Sequence, residues 1–156
     1  MGTDVELPEC SIDINYSNTK PVWGDLLSLC GLTSPSWPVS IPAFGRLARL
    51  QVIQADDYFG VRVLGSGAVV IWILPVVDEE VVDHHPGPFD ALRIEYDLGY
   101  HSASRAAHFS RLVAALAESS ERCVARWTGT QAELPTPIDT GALSRHVENL
   151  AEATEP

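Results

Sequence analysis

Asp83-His84-His85, with Asp78, Glu79 and Glu80 just upstream, brings histidine and carboxylate side chains into one short segment. Imidazole and carboxylate within one segment is donor chemistry for a divalent metal. Adjacent residues on extended backbone point to opposite sides, however, so His84 and His85 do not readily share one ion. No HExxH or HxH spacing accompanies them. A second group, His101, Arg105 and His108, falls at i, i+4 and i+7 of a helical pattern. On one helix face these residues could transfer protons or hold an anion. No nucleophile stands at a motif-defined position beside them. Gly65-Ser66-Gly67 lacks the GxGxxG pattern and its strand-to-helix context, so it reads as a turn. Cys10, Cys30 and Cys123 are odd in number and far apart. That spacing suits buried free thiols, not a disulfide framework or a structural zinc. No catalytic residue, metal site or cofactor is therefore expected.

Charge gives the stronger signal. The 156 residues carry 21 Asp+Glu against 10 Lys+Arg, a net charge of −11. Residues 75–100 hold seven acids and a single cation, Arg93. The segments on either side, 46–74 and 101–127, are slightly basic. Segregated charge gives a directional field that steers an oppositely charged partner. So acidic a chain is a poor nucleic-acid ligand, because phosphate binding is driven by cations. The expected partner is a basic protein. The expected contact residues are Asp78, Glu79, Glu80, Asp83 and Asp90, with Trp37 of the Pro-rich connector as an aromatic anchor.

These residues must be positioned by a fold, and the composition is that of one: 46% hydrophobic and 20% charged. The longest apolar run, Ala68–Val77, is 10 residues and includes Pro75. A membrane span takes roughly 20. Residues 1–9 carry neither the basic stretch nor the apolar run of a secretory leader, so a cytoplasmic location is expected. Nine of the ten cations are arginine, the signature of a GC-rich bacterial genome.

Ser11–Tyr16 alternates polar and apolar, as a half-buried strand does. Asp25–Cys30 reads as a short helix with Gly31 just past its end. Leu47–Gln54 and Tyr58–Leu64 read as strands flanking an Asp56-Asp57 turn. Ala68–Leu74 reads as a central strand with Trp72 in the core. Pro75–Asp90 is expected to be a long, exposed acidic loop. Leu92–Leu98 alternates again. Residues 102–119 form the clearest amphipathic helix, with Ala106, Phe109, Val113 and Leu116 on its apolar stripe. Glu121–Trp127 is a last strand, and Asp139–Ala151 a short amphipathic helix.

The expected class is α+β: an antiparallel sheet of about five to six strands with the long helix 102–119 and shorter helices on one face. Residues 1–133 form the domain. Residues 134–156 are a Pro-containing linker and a helix that belongs to it or is appended to it.

In size, acidity and layout the chain resembles the bacterial polymorphic-toxin immunity proteins. The resemblance carries no residue roles with it. It implies a cytoplasmic inhibitor that neutralises a basic toxin, such as a nuclease or deaminase, by occluding its active site. It implies no enzymatic activity, and a monomer or a homodimer. Two other readings stand beside it. One is an acidic, dimeric secretion chaperone, from whose pattern the extra strand before the long helix departs. The other is a small enzyme using His101/His108 or His84/His85.

Overall fold

The computed structural model describes residues 10–32, 34–47, 52–56, 60–65, 68–82, 85–120 and 122–154. The order is β1 (Ser11–Tyr16), α1 (Trp23–Leu29), α2 (Phe44–Leu47), β2 (Val52–Asp56), β3 (Gly60–Gly65), β4 (Ala68–Val77), β5 (Glu80–Val81), β6 (Ala91–Tyr96), α3 (Ala103–Glu118), β7 (Cys123–Trp127) and α4 (Thr140–Thr154). The strands form one antiparallel sheet in the order β2-β3-β4-β6-β1-β7, with β5 paired to the far end of β4. This is the α+β architecture expected, with one strand more than expected.

The two-residue period of β1 and β6 decides what lies inside. Ile12, Ile14 and Tyr16, and across from them Leu92, Ile94 and Tyr96, point to one face and are buried. α1, α3 and α4 cover that face, and Leu26, Leu29, Phe109, Leu112, Leu116 and Val147 complete the core. α3 starts where Ser102 accepts the N–H of Arg105 at 3.2 Å, an N-cap. α4 docks onto α3: Leu143, Val147 and Ala151 are buried, and the Ser110 and Ser144 hydroxyls meet at 2.8 Å. The terminal helix is thus part of the core.

α1 ends as expected, with Gly31 left-handed at φ 74°. Asp25 in its first turn is fully buried. One carboxylate oxygen accepts the N–H of Val22 at 2.8 Å. The other accepts Ser40 at 3.0 Å and Ile41 at 2.8 Å. This one side chain pins the irregular connector onto α1.

The structure corrects several expectations. Leu47 closes the short helix α2 and does not open a strand. Residues 48–51, the Asp56-Asp57 turn beyond residue 56, and Ser66-Gly67 lie outside the described residues. Trp72 is half-buried; it pairs with Glu95 in register and shares the outer face with Leu74 and Val76.

Pro75–Asp90 is no long loop. β4 runs on through Pro75 to Val77. The Pro75 carbonyl accepts the N–H of Val82 at 3.0 Å, on the β5 side. The missing proline N–H faces that same short side, so no β4–β6 ladder bond is lost. Val77 and Glu80 then close a two-residue hairpin. Its turn residues Asp78 and Glu79 have φ of 50° and 69°, the left-handed pair of a type I′ turn. Further on, Phe89 is buried, and its N–H donates to Pro21 at 2.8 Å while that of Asp90 donates to Val76 at 2.9 Å.

Candidate functional site

Part of the sheet face opposite the helices forms a hollow. Across β6, β1 and β7 it is concave, enclosing about 730 Å3 between the Asp78-Glu79 turn on one side and the turn after β7 on the other. The same alternation that buries Ile12 and Ile94 turns Asp13, Asn15, Arg93 and Arg126 outward. Register then aligns them: Asp13 stands opposite Arg93 on one neighbour and Arg126 on the other.

The charges in this hollow fall into two groups. Some are consumed in holding the site. Arg93 grips Asp13 through two hydrogen bonds, Nε to Oδ1 at 2.8 Å and Nη2 to Oδ2 at 3.3 Å. This planar pair is largely buried, with side chains 19% and 13% exposed. Lys20 Nζ lies 2.7 Å from Asp90 Oδ1, and the N–H of Asp78 donates to Asp90 Oδ2 at 2.9 Å. The Lys20 hydrogen bond, followed by that of the Asp78 amide, holds the Asp90 carboxyl below its ordinary range.

The other group is uncommitted. The side chains of Asp78, Glu79 and Arg126 have no hydrogen-bond or ion-pair partner among the described residues. The Thr128 hydroxyl, on the same lining, is buried and likewise without a partner there. Gln131 donates its amide to the Thr128 carbonyl at 2.7 Å and closes the rim.

The expected contact residues are therefore only partly brought together. Asp78, Glu79 and Asp90 line the hollow; Glu80, exposed at the start of β5, does not. Asp83 and His84 lie outside the described residues. Trp37 does not line it either: the ring is half-buried and packs against the core. Leu32 and Val39, at 53% and 42% exposed, are the large apolar side chains left open in that connector. Asp13, Arg93 and Arg126 were not anticipated as site residues. Strand alternation placed them on the outer face; the adjacency of β6, β1 and β7 was the missing information.

Among the described residues no histidine lines the hollow. His85 Nδ1 accepts the N–H of Gly87 at 2.9 Å, and its ring lies 5.9 Å from Phe89. His101 is not on the α3 face. It sits before the N-cap in extended backbone, sharing a 2.9 Å hydrogen bond with the Tyr96 hydroxyl. The i, i+4, i+7 arrangement with Arg105 and His108 therefore does not form. Burial pushes the Cys10 thiol up to about 12 and that of Cys30 to about 11. Both stay protonated at neutral pH and are poor nucleophiles. Among the described residues no three His, Cys, Asp or Glu side chains are grouped to hold a metal ion.

A second, smaller groove of about 180 Å3 runs between Trp127, Leu134 and α4. It is apolar, and its carboxylate, Asp139, is engaged as a cap by the N–H of Ala142 at 3.0 Å. Among the described residues no helix is long and apolar enough to cross a membrane. No protein-family model, no curated protein and no solved structure matches this chain.

Proposed function

We propose that this protein is an acidic protein-binding module of the immunity type, which docks a basic toxin on the outer sheet face and occludes its active site. One observation carries the reading. Two uncommitted carboxylates, Asp78 and Glu79, stand on a braced hairpin turn at the rim of an open hollow. A rigid acidic rim is what a cationic active-site cleft would meet in place of phosphate. Preorganisation matters here, since ordering a loop on binding would cost affinity. The net charge of −11 adds long-range steering. In this reading the protein makes and breaks no bonds; it works by shape and charge.

The test is kinetic. Tagged protein recovers its partner from the native host, and the purified pair is followed by surface-based binding. A 1:1 complex is expected, with an association rate that falls steeply as salt rises. Asp78→Asn with Glu79→Gln should slow association about tenfold and flatten the salt dependence. An association rate unchanged by both substitutions would overturn the reading.

A further inference from the structure

We infer that the hollow takes a segment of mixed charge: an acidic side chain seated on Arg126, flanked by cations that meet Asp78 and Glu79. The inference rests on the docking reading above and deepens it.

Among the described residues lining the hollow, Arg126 is a cation without an ion-pair partner. A face selected only to attract a basic partner gains nothing from an unpaired guanidinium in its lining, because like charge repels. Arg93, in the same hollow, is neutralised by Asp13 through two hydrogen bonds. Arg126 is the register neighbour of that same Asp13 on the other side, yet makes no ion pair with it. Both Asp13 oxygens are already committed to Arg93. Glu133 is the cross-strand neighbour of Arg126 on its far side, yet Arg126 makes no ion pair with any described residue; its guanidinium fork is the geometry that recognises a carboxylate. Thr128, two residues on in the same lining, adds a buried hydroxyl without a partner among the described residues. Such orphaned polar atoms are rare and call for a partner.

Charge complementarity then describes the occupant. Its cations face the 78–79 rim, and its carboxylate faces β7. A purely cationic segment would satisfy the rim and leave Arg126 repelled; a purely acidic one would be rejected by the rim.

The two possibilities give opposite signs for one substitution. If the occupant is simply basic, Arg126→Ala removes a repulsion and tightens binding. If the occupant brings a carboxylate, Arg126→Ala removes its seat and weakens binding. Two labelled peptides of equal length serve as probes. One alternates arginine and glycine throughout; the other has its central arginine replaced by aspartate. Affinity for the full-length protein is read by fluorescence anisotropy at low and moderate salt.

The aspartate peptide should bind the native protein about threefold more tightly than the arginine peptide, despite its lower positive charge. Arg126→Ala should weaken the aspartate peptide about tenfold and reverse the order. Arg126→Lys, which keeps the charge and loses the fork, should fall between. Tighter binding of the all-arginine peptide, tightened further by Arg126→Ala, would overturn the inference and leave the docking reading intact. If neither peptide binds in a way that depends on Asp78 and Glu79, both fall together.

Discussion

Asp90 holds the backbone of Asp78. Its Oδ2 accepts the Asp78 N–H at 2.9 Å across twelve residues of chain, while its Oδ1 is met by Lys20 at 2.7 Å. One acid of the cluster is thus paired, while the carboxylate of Asp78 has no partner among the described residues. Acids that look equivalent in sequence have different jobs: Asp90 braces the turn, and Asp78 and Glu79 are displayed on it.

Because Lys20 and the Asp78 amide hold the Asp90 carboxyl low, its contribution to stability is present above the ordinary carboxylate value. It is lost as pH falls through the lowered value. In a carbon-detected titration, Asp90 should titrate below the ordinary aspartate range. Lys20→Met should move it back up, since the lysine is the larger cause. The pair is half-exposed, so the stability change should be under about 1 kcal/mol. A titration unmoved by Lys20→Met would contradict this pairing.

The turn itself carries strain. Asp78 and Glu79 both adopt left-handed backbone, at φ 50° and 69°. A residue with a Cβ pays about 1 kcal/mol there, and glycine does not. Glu79→Gly should therefore raise the urea midpoint by the equivalent of about 1 kcal/mol. The same substitution should slow partner association by removing a rim carboxylate. A stability gain without a loss in association would show that the Glu79 charge is not used.

Asp25 is buried and accepts three backbone N–H groups. Asp25→Ala would strand all three and should cost about 3 kcal/mol or more in denaturant unfolding. Burial is the largest influence on this carboxyl and raises it, against the opposing pull of the three amides. The folded state therefore holds the Asp25 proton more tightly than the unfolded state does. Its contribution is fully present below the ordinary aspartate value and is lost as pH rises through the raised one. Asp25→Asn should remove that slope from the stability profile. An identical slope in the variant would place its origin elsewhere.

α4 is held by Leu143 and Val147 against α3, and by the Ser110–Ser144 contact. Leu143→Ala should cost about 3 kcal/mol, the usual range for a buried leucine. Ser110→Ala, which leaves Ser144 without its partner, should cost about 1 kcal/mol. Thermal unfolding should remain a single transition in both. A separate early transition for α4 would mean that the helix is an appendage.

Local pattern made part of this fold readable. Strict alternation in Ser11–Tyr16 and Leu92–Tyr96 marks the inner and outer faces of two strands, and a 3.6-residue stripe marks α3. The hairpin at 78–79 escaped for a chemical reason. Its turn is Asp-Glu, not the Asn-Gly that announces left-handed backbone, and Pro75 argued for a strand end. Counting i, i+4, i+7 from His101 runs across the N-cap Ser102, so His101 falls in extended backbone outside the helix. An aromatic in a Pro-rich connector suits an exposed anchor and a packed ring equally by residue type, and Trp37 packs against the core.

By itself the sequence determined the net charge, the concentration of acids after β4, the elements with a clear period, and which residues of a strand face outward. These are properties of neighbours along the chain. Only the tertiary structure decided that β6, β1 and β7 lie side by side, so that Asp13 pairs with Arg93 and Arg126 is left open. It also decided which acids are spent on bracing. Strand order and hydrogen-bond partners join residues about a hundred positions apart, and no local pattern encodes them.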